Sequence, residues 1–184
     1  TYFVYDVKSS KLFPVSSQNK NLRNVKFSPN GKYVSYIRDD NNIYVLNTKS
    51  LKEKQLTRTG NEKILNGHFG WLYEEELTGY DGYRWSPNSK YISFWEEDQS
   101  DVPEFSIIDE LNLYPFVKKI RYPKVGESNP SLRIGIIRVE GVGKKWIKDA
   151  HVENDYLPWM EWINDDKIAF MRLSRFQKKW DIFI

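Results

Sequence analysis

Phe27-Ser28-Pro29-Asn30-Gly31-Lys32-Tyr33-Val34-Ser35-Tyr36 returns further along the chain as Trp85-Ser86-Pro87-Asn88-Ser89-Lys90-Tyr91-Ile92-Ser93-Phe94, and more loosely as Trp162-Ile163-Asn164-Asp165-Asp166-Lys167-Ile168-Ala169-Phe170. Each copy has the pattern of a β-hairpin. An aromatic residue ends one strand, a turn rich in Ser, Pro, Asn, Asp or Gly follows, and alternating apolar residues begin the next strand. Recurrence of such a unit signals a repeat architecture. After the first copy come Asn42-Ile43-Tyr44-Val45-Leu46-Asn47 and Glu53-Lys54-Gln55-Leu56-Thr57, joined by a polar turn. Together these make four strands in about 36 residues, the size of one β-propeller blade.

Extended outward from that unit, the chain reads as all-β: an incomplete β-propeller of about three to four antiparallel four-stranded blades, some truncated. Blade pieces of one domain are expected at about 1–15, 22–57, 82–140 and 159–184, with residues 58–81 as an insertion. In the first piece Tyr2 to Val7 pairs with Lys11 to Val15 across Lys8-Ser9-Ser10. In the third, strands are expected at Tyr91 to Trp95, Glu104 to Asp109 and Arg133 to Glu140, around an inserted loop containing Tyr122-Pro123-Lys124. A propeller normally closes on itself, and these pieces do not make a ring. The chain, which starts in mid-strand at Thr1, is therefore read as part of a longer protein. A β-sandwich with similar turns is the competing architecture.

Composition agrees with a globular β-rich domain. The 184 residues are 40% apolar and 29% charged, and no run approaches the ~18 apolar residues of a membrane helix. The rings of Trp 7, Tyr 12 and Phe 10 favour half-buried strand positions. Net charge is +3, and the basic residues are scattered through Lys118-Lys119, Lys144-Lys145 and Lys178-Lys179 rather than gathered on one face, which argues against nucleic acid as a partner. Cysteine is absent, and Asn129-Pro130-Ser131 carries proline where a glycosylation sequon forbids it. Both features tilt the source toward bacteria.

The insertion holds Trp71-Leu72-Tyr73-Glu74-Glu75-Glu76, three successive carboxylates after two aromatics. Carboxylate oxygens ~4 Å apart repel by roughly 4 kcal/mol at an effective dielectric near 20, a cost that an ammonium or guanidinium relieves. Taken alone, the triplet reads equally as an acidic solvated turn. Its setting says more, because the stretch from Arg58 to Asp81 is much longer than a simple connection between blades needs. Glu, Leu and Tyr between Gly70 and Leu77 favour a helix of one to two turns, which Thr78-Gly79 can stop. Neighbours on such a helix are about 100° apart, so adjacent glutamates converge only on a group standing off their shared edge.

These landmarks, followed by Tyr83-Arg84-Trp85-Ser86-Pro87-Asn88, Asp101-Val102-Pro103 and Tyr122-Pro123-Lys124-Val125-Gly126-Glu127-Ser128-Asn129-Pro130, occur in an order and spacing that resembles the N-terminal β-propeller region of the dipeptidyl peptidase IV family. The resemblance covers roughly residues 20–184. It implies a serine-type exopeptidase of the prolyl oligopeptidase kind, in which a short helix projects toward the active-site cavity and its last two glutamates bind the free α-amino group of a peptide. That role falls here on Glu75 and Glu76. Glu74, Tyr73 and Trp71 would support the pocket. A peptide N-terminus has a pKa of about 8, so two carboxylates would keep it protonated and at a fixed distance from the scissile bond. In the family the cut releases a dipeptide, often after Pro or Ala, although close relatives release tripeptides; both remain open here.

The same resemblance places the catalytic serine on a Gly-x-Ser-x-Gly elbow in a C-terminal α/β-hydrolase domain, which this chain does not contain. Gly126-Glu127-Ser128-Asn129-Pro130 lacks the final glycine, and the two histidines, His68 and His151, lack an acidic partner arrangement. No catalytic residue is therefore expected within 1–184, and His68 reads as a loop or packed histidine. Glu74, Glu75, Glu76 and Asp81 lack the alternate-position spacing of a calcium loop, so no metal and no cofactor are expected. Glu96-Glu97-Asp98-Gln99-Ser100-Asp101 reads as a solvated connection after a strand. Trp159-Met160-Glu161-Trp162 and Trp146 read as blade packing. The implied partners are peptides with a free N-terminus, the parent's own hydrolase domain and a second copy of the parent, in the periplasm or outside a bacterial cell. A non-catalytic propeller serving as an interaction platform is the alternative.

Overall fold

The computed structural model describes residues 2–16 and 21–184, so Thr1 lies outside the described residues. It is built almost entirely of antiparallel strands. The two short strands β1 (Phe3–Asp6) and β2 (Lys11–Pro14) form a hairpin of their own. Next comes a regular blade in sequence order, β3 (Arg23–Phe27), β4 (Tyr33–Ile37), β5 (Ile43–Asn47) and β6 (Glu53–Gln55). Each strand pairs with its successor because short polar turns allow only that partner.

The following blade is interrupted. β7 (Ile64–Asn66) and β8 (Tyr83–Trp85) both pair with the long β9 (Tyr91–Asp98), β7 along its far half and β8 along its near half. One strand position is thus split in two, and the helix α1 (Trp71–Glu76) lies in the chain between the halves. Its neck is closed by backbone: the Gly82 N–H donates to the Gly67 carbonyl at 2.9 Å, and both glycines bond to Trp95. Beyond β9, the strands β10 (Glu104–Asp109) and β11 (Phe116–Arg121) pair only with each other, so Glu104 to Asp109 belongs to a separate hairpin and not to the blade expected at 82–140. The chain then returns as β12 (Ser131–Arg138) beside β9, followed by β13 (Lys144–Val152). The sheet accordingly runs from Ile64 to Val152, wider than 82–140. Three last strands, β14 (Tyr156–Trp162), β15 (Ile168–Leu173) and β16 (Trp180–Phe183), form a further sheet.

Three apolar layers hold these sheets face to face. Val15, Val34, Tyr36, Tyr44 and Leu46 bury one face of the regular blade. Ile37, Ile43, Val45, Ile92, Phe94 and Trp85 join that blade to the interrupted one. Trp95, Leu132, Leu157, Met160 and Phe170 join the interrupted blade to the last sheet, and Phe69 and Tyr73 add α1 and its approach to the same layer. Strand alternation accounts for the division, since Ile92 and Phe94 point to one side of β9 and Trp95 to the other. The result is an incomplete β-propeller with a short inserted helix. Trp146 packs against Phe94 at 5.6 Å and Trp162 stacks on Tyr91 at 6.5 Å, whereas Trp159 is 43% exposed.

Candidate functional site

α1 has an apolar inner side and an acidic outer end. Tyr73 is fully buried, and its hydroxyl accepts the Leu157 N–H at 3.0 Å, which ties the helix to the start of the last sheet. Phe69 stacks on Tyr73 at 5.0 Å and meets the edge of Trp95 at 5.4 Å. Trp71 lies against Tyr122, ring centroids 4.3 Å apart. The helix ends where Leu77 and Gly79 both donate to the Tyr73 carbonyl, with Thr78 rather than glycine taking the left-handed conformation at φ 51°. A β-branched residue in that conformation is strained, and it holds only because Tyr73 and Leu77 are locked into the layer below.

The three glutamates are not equivalent. Glu74 is half-buried, and burial raises its pKa, with Arg23 opposing and Glu75 adding to the shift. Glu75 and Glu76 are exposed and make no ion pair or hydrogen bond among the described residues. They occupy the last turn of α1, where no basic residue offsets them. Carboxylates at a helix C-terminus face the negative end of the peptide dipoles, an arrangement that costs a few tenths of a kcal/mol to about 1 kcal/mol per charge. A cation brought to this edge would relieve both that repulsion and the repulsion between the pair.

The neighbouring blade braces this insertion. Between Arg23 and Lys26 the pairing of β3 slips by a bulge, and Asn24 there has φ 52°. Its amide reaches across to donate to the Gly67 carbonyl at 3.2 Å and the Tyr80 carbonyl at 2.9 Å, one on each side of α1. Lys26 pairs with Asp81 at 2.6 Å, and the Tyr83 hydroxyl donates to the Asn24 carbonyl. Arg23 stands beside the His68 ring at 3.3 Å, while the other ring nitrogen meets Asn41 at 2.9 Å. His68 is buried, and its pKa is lowered to about 4 by desolvation first and the Arg23 charge second. It is a neutral, packed bracket. A repeat motif gives no signal for Asn24, Arg23 or Asn41, since their roles depend on which blade faces which.

A further expectation is overturned. Glu96 and Glu97 do not lie in a solvated connection: both are in β9 and buried, and Gln99 just beyond is buried as well. Glu96 pairs with Arg133 at 2.5 Å on one face, and Glu97 lies on the other, beneath α1. β9 runs past the repeated hairpin because β7 supplies a partner for its far end, which the sequence pattern did not reveal. Glu127 and Ser128 sit in a loop after a turn at Lys124, near Asn154, Tyr156 and Arg175, and Ser128 lines a polar cleft together with His151.

Comparison with known proteins gives these features a setting. The family model described as the dipeptidyl peptidase IV (DPP IV) N-terminal region matches residues 1–184. The chain belongs to the dipeptidyl peptidase IV N-terminal region family. In the crystal structure of Porphyromonas gingivalis dipeptidyl peptidase 4, a segment 31% identical superposes with a TM-score of 0.91, covering 98% of this chain and 26% of that one. A probable dipeptidyl-aminopeptidase B of Talaromyces stipitatus is 34% identical over 95% of this chain and 21% of its own length. The prolyl endopeptidase FAP of Bos taurus is 32% identical over 96% of this chain and 24% of its own. The chain thus spans about a quarter or less of the length of these relatives.

Proposed function

We propose that this chain is the substrate-recognition part of a serine-type, dipeptidyl peptidase IV-like exopeptidase, in which Glu75 and Glu76 hold the protonated N-terminus of a peptide. The observation that carries this reading is the pair of exposed, unpaired carboxylates at the last turn of a helix whose other side is locked into the core by Tyr73, with Leu72 and Leu77 packed beside it. A rigid support with an uncompensated negative edge suits an ammonium, which two charge-assisted hydrogen bonds would fix in place. Anchoring the amine sets the distance to the bond that is cut, which suits release of a dipeptide; the preference for Pro or Ala before the cut is what the family likeness implies. The nucleophile and its base would come from a hydrolase domain elsewhere in the full-length protein. We place that protein in the periplasm or outside a bacterial cell, and as a homodimer. The exposed apolar side chains of Ile108, Leu113, Tyr114 and Val117 on the β10–β11 hairpin favour self-association.

The test is Glu75→Gln and Glu76→Gln in the full-length protein with a Gly-Pro chromogenic substrate. Each should lower kcat/KM by roughly 30- to several-thousand-fold, the equivalent of about 2–5 kcal/mol for a lost charged contact. Glu74→Gln should do far less. Equal activity in Glu75→Gln, Glu76→Gln and wild type, or unchanged cleavage of N-acetylated substrates, would return the triplet to a solvated acidic turn. A full-length protein with no peptidase activity at all would favour the interaction platform.

A further inference from the structure

We infer that Glu97 is a positioning residue for the amine-binding edge: its buried carboxylate, reaching from β9 to the start of α1, sets how that helix presents Glu75 and Glu76. The inference rests on the reading of Glu75 and Glu76 given above.

The geometry is specific. Gly70, the residue before α1, supplies no side chain to cap the helix. The Glu97 carboxylate instead anchors the residue before the helix, accepting the Gly70 N–H at 3.1 Å on one oxygen and the Gln99 amide at 2.5 Å on the other. The three residues fit tightly, since a Cβ on Gly70 would fall 1.6 Å from the Gln99 amide nitrogen and 2.8 Å from a Glu97 oxygen. Glycine at the helix start and a carboxylate beneath it form one device. An Asp or Ser at position 70, the ordinary choice for a helix cap, would have to displace the ends of the Gln99 and Glu97 side chains.

The surroundings leave Glu97 almost alone as a charge. Its cross-strand neighbours are Leu65 on β7 and Leu132 on β12, both apolar and buried. From α1 it faces Glu74, whose charge repels it, and Tyr73, which is backed by Tyr156 of β14. No basic side chain among the described residues pairs with it. Desolvation first, with Glu74 adding, lifts its pKa to about 7 against the donors Gln99 and Gly70. The charged form uses both donors fully. Protonation weakens the hold on Gly70 and removes a negative charge that acts on Glu74 of the same helix. Both effects weaken amine binding as pH falls through about 7.

The experiment is a pH series, 5.5 to 7.5, of the inhibition constant of the dipeptide Gly-Pro on the full-length protein, with kcat and KM measured in parallel. Wild type should bind Gly-Pro about three- to tenfold more tightly at the upper end, the size expected for one added charge screened at an effective dielectric near 20. Glu97→Gln keeps an acceptor for Gly70 but carries no charge; its inhibition constant should be flat across the series and about three- to tenfold weaker at pH 7.5, with kcat within about twofold. Gln99→Met removes a donor to the carboxylate and should move the wild-type midpoint to higher pH, so the inference stands or falls even where Glu97→Gln does not fold. A wild-type pH response in Glu97→Gln, or a midpoint unmoved in Gln99→Met, overturns it, as does a loss of thermal stability with unchanged binding. Glu75→Gln and Glu76→Gln in the same assay separate the two readings. If they bind Gly-Pro like wild type, the amine reading fails and takes this inference with it; if they lose it while Glu97→Gln titrates like wild type, only the positioning role fails.

Discussion

The regular blade at β3–β6 and the interrupted blade around β9 start from the same hairpin and end as different objects. Val34 corresponds to Ile92, Ser35 to Ser93, Tyr36 to Phe94 and Ile37 to Trp95, and all eight side chains are buried. Even the following residue is a buried charge in both, with its sign reversed: Arg38 pairs with Glu53, and Glu96 pairs with Arg133. What separates the two is where extra chain enters. The regular blade has four strands and short turns, and its residues serve packing and brace the insertion of its neighbour. The interrupted blade gives up the continuity of one strand position to β7, α1 and β8, and lengthens β9 to receive Glu97 beneath the helix. A shared frame thus carries a site where the ladder is broken, because a split strand frees backbone to leave the sheet while both of its ends stay hydrogen-bonded.

The largest difference should appear at Ile37 and Trp95. Ile37→Ala empties a layer between two sheets and should cost about 2–5 kcal/mol; Trp95→Ala should cost about 3–5 kcal/mol. The costs overlap, but the reach does not. Trp95 touches Phe69 beside α1 and donates its indole N–H to the Leu157 carbonyl at 2.9 Å. Hydrogen exchange at the α1 amides should therefore accelerate strongly in Trp95→Ala and hardly in Ile37→Ala. Equal acceleration in both would mean that α1 is supported by the whole array and not by this layer.

Next in size is a pair of opposed titrations on the interrupted side. His68 has a pKa of about 4 when folded against 6.5 in the free chain. Between those values the unfolded chain holds more protons, so stability rises with pH across the window and is complete above about 6.5. Glu97 runs the other way: its folded pKa is about 7 against 4.5, so the folded chain holds the extra proton and stability falls as pH rises from 4.5 to 7. Each amounts to on the order of 2–3 kcal/mol, and together they leave a shallow profile. Chemical denaturation at pH 4.5 and 7 should show a rise with pH in Glu97→Gln and a fall in His68→Gln. The same slope in both variants would show that these two groups do not govern the profile.

How much of this was legible follows from how local each feature is. The hairpins were legible because their turn chemistry and alternation are written within ten residues, and the fold class followed from their repetition. The helix at Trp71–Glu76 was legible from composition and its stop signal, and Glu75 and Glu76 from resemblance. Glu96 and Glu97 were misread because acidic residues in succession look solvated; pairing of the far end of β9 with β7 on one side and β12 on the other, both distant in sequence, buries them, while Ser100 and Asp101 stay exposed. Asn24 and Arg23 were silent for the same reason. Their partners at Gly67, Tyr80 and His68 come from the other blade, and nothing in a β-strand pattern says which sheet will face it.

The smallest expected effect lies in the two turns themselves, which touch: the Asn30 N–H donates to the Ser89 hydroxyl at 3.1 Å. Both turns are pinned in the same way, Ser28 to Asn30 and Ser86 to Asn88 at 2.9 and 2.8 Å. The fourth turn residue has a left-handed backbone in each, Gly31 at φ 69° and Ser89 at φ 62°. Glycine adopts this conformation freely, and a side chain there costs about 1 kcal/mol. Gly31→Ser meets nothing within 4 Å, so backbone strain acts alone and stability should drop by about 1 kcal/mol. Ser89→Gly relieves the same strain but removes the hydroxyl that Asn30 uses, a bond worth roughly 1 kcal/mol, and the two should cancel to within about 0.5 kcal/mol. Denaturant midpoints of the two variants would decide it. If Ser89→Gly stabilises by the full amount, the contact between the turns contributes nothing and the blades are joined by their apolar layer alone; if it destabilises by more than Gly31→Ser, the turn contact is the stronger tie between two blades that share one hairpin.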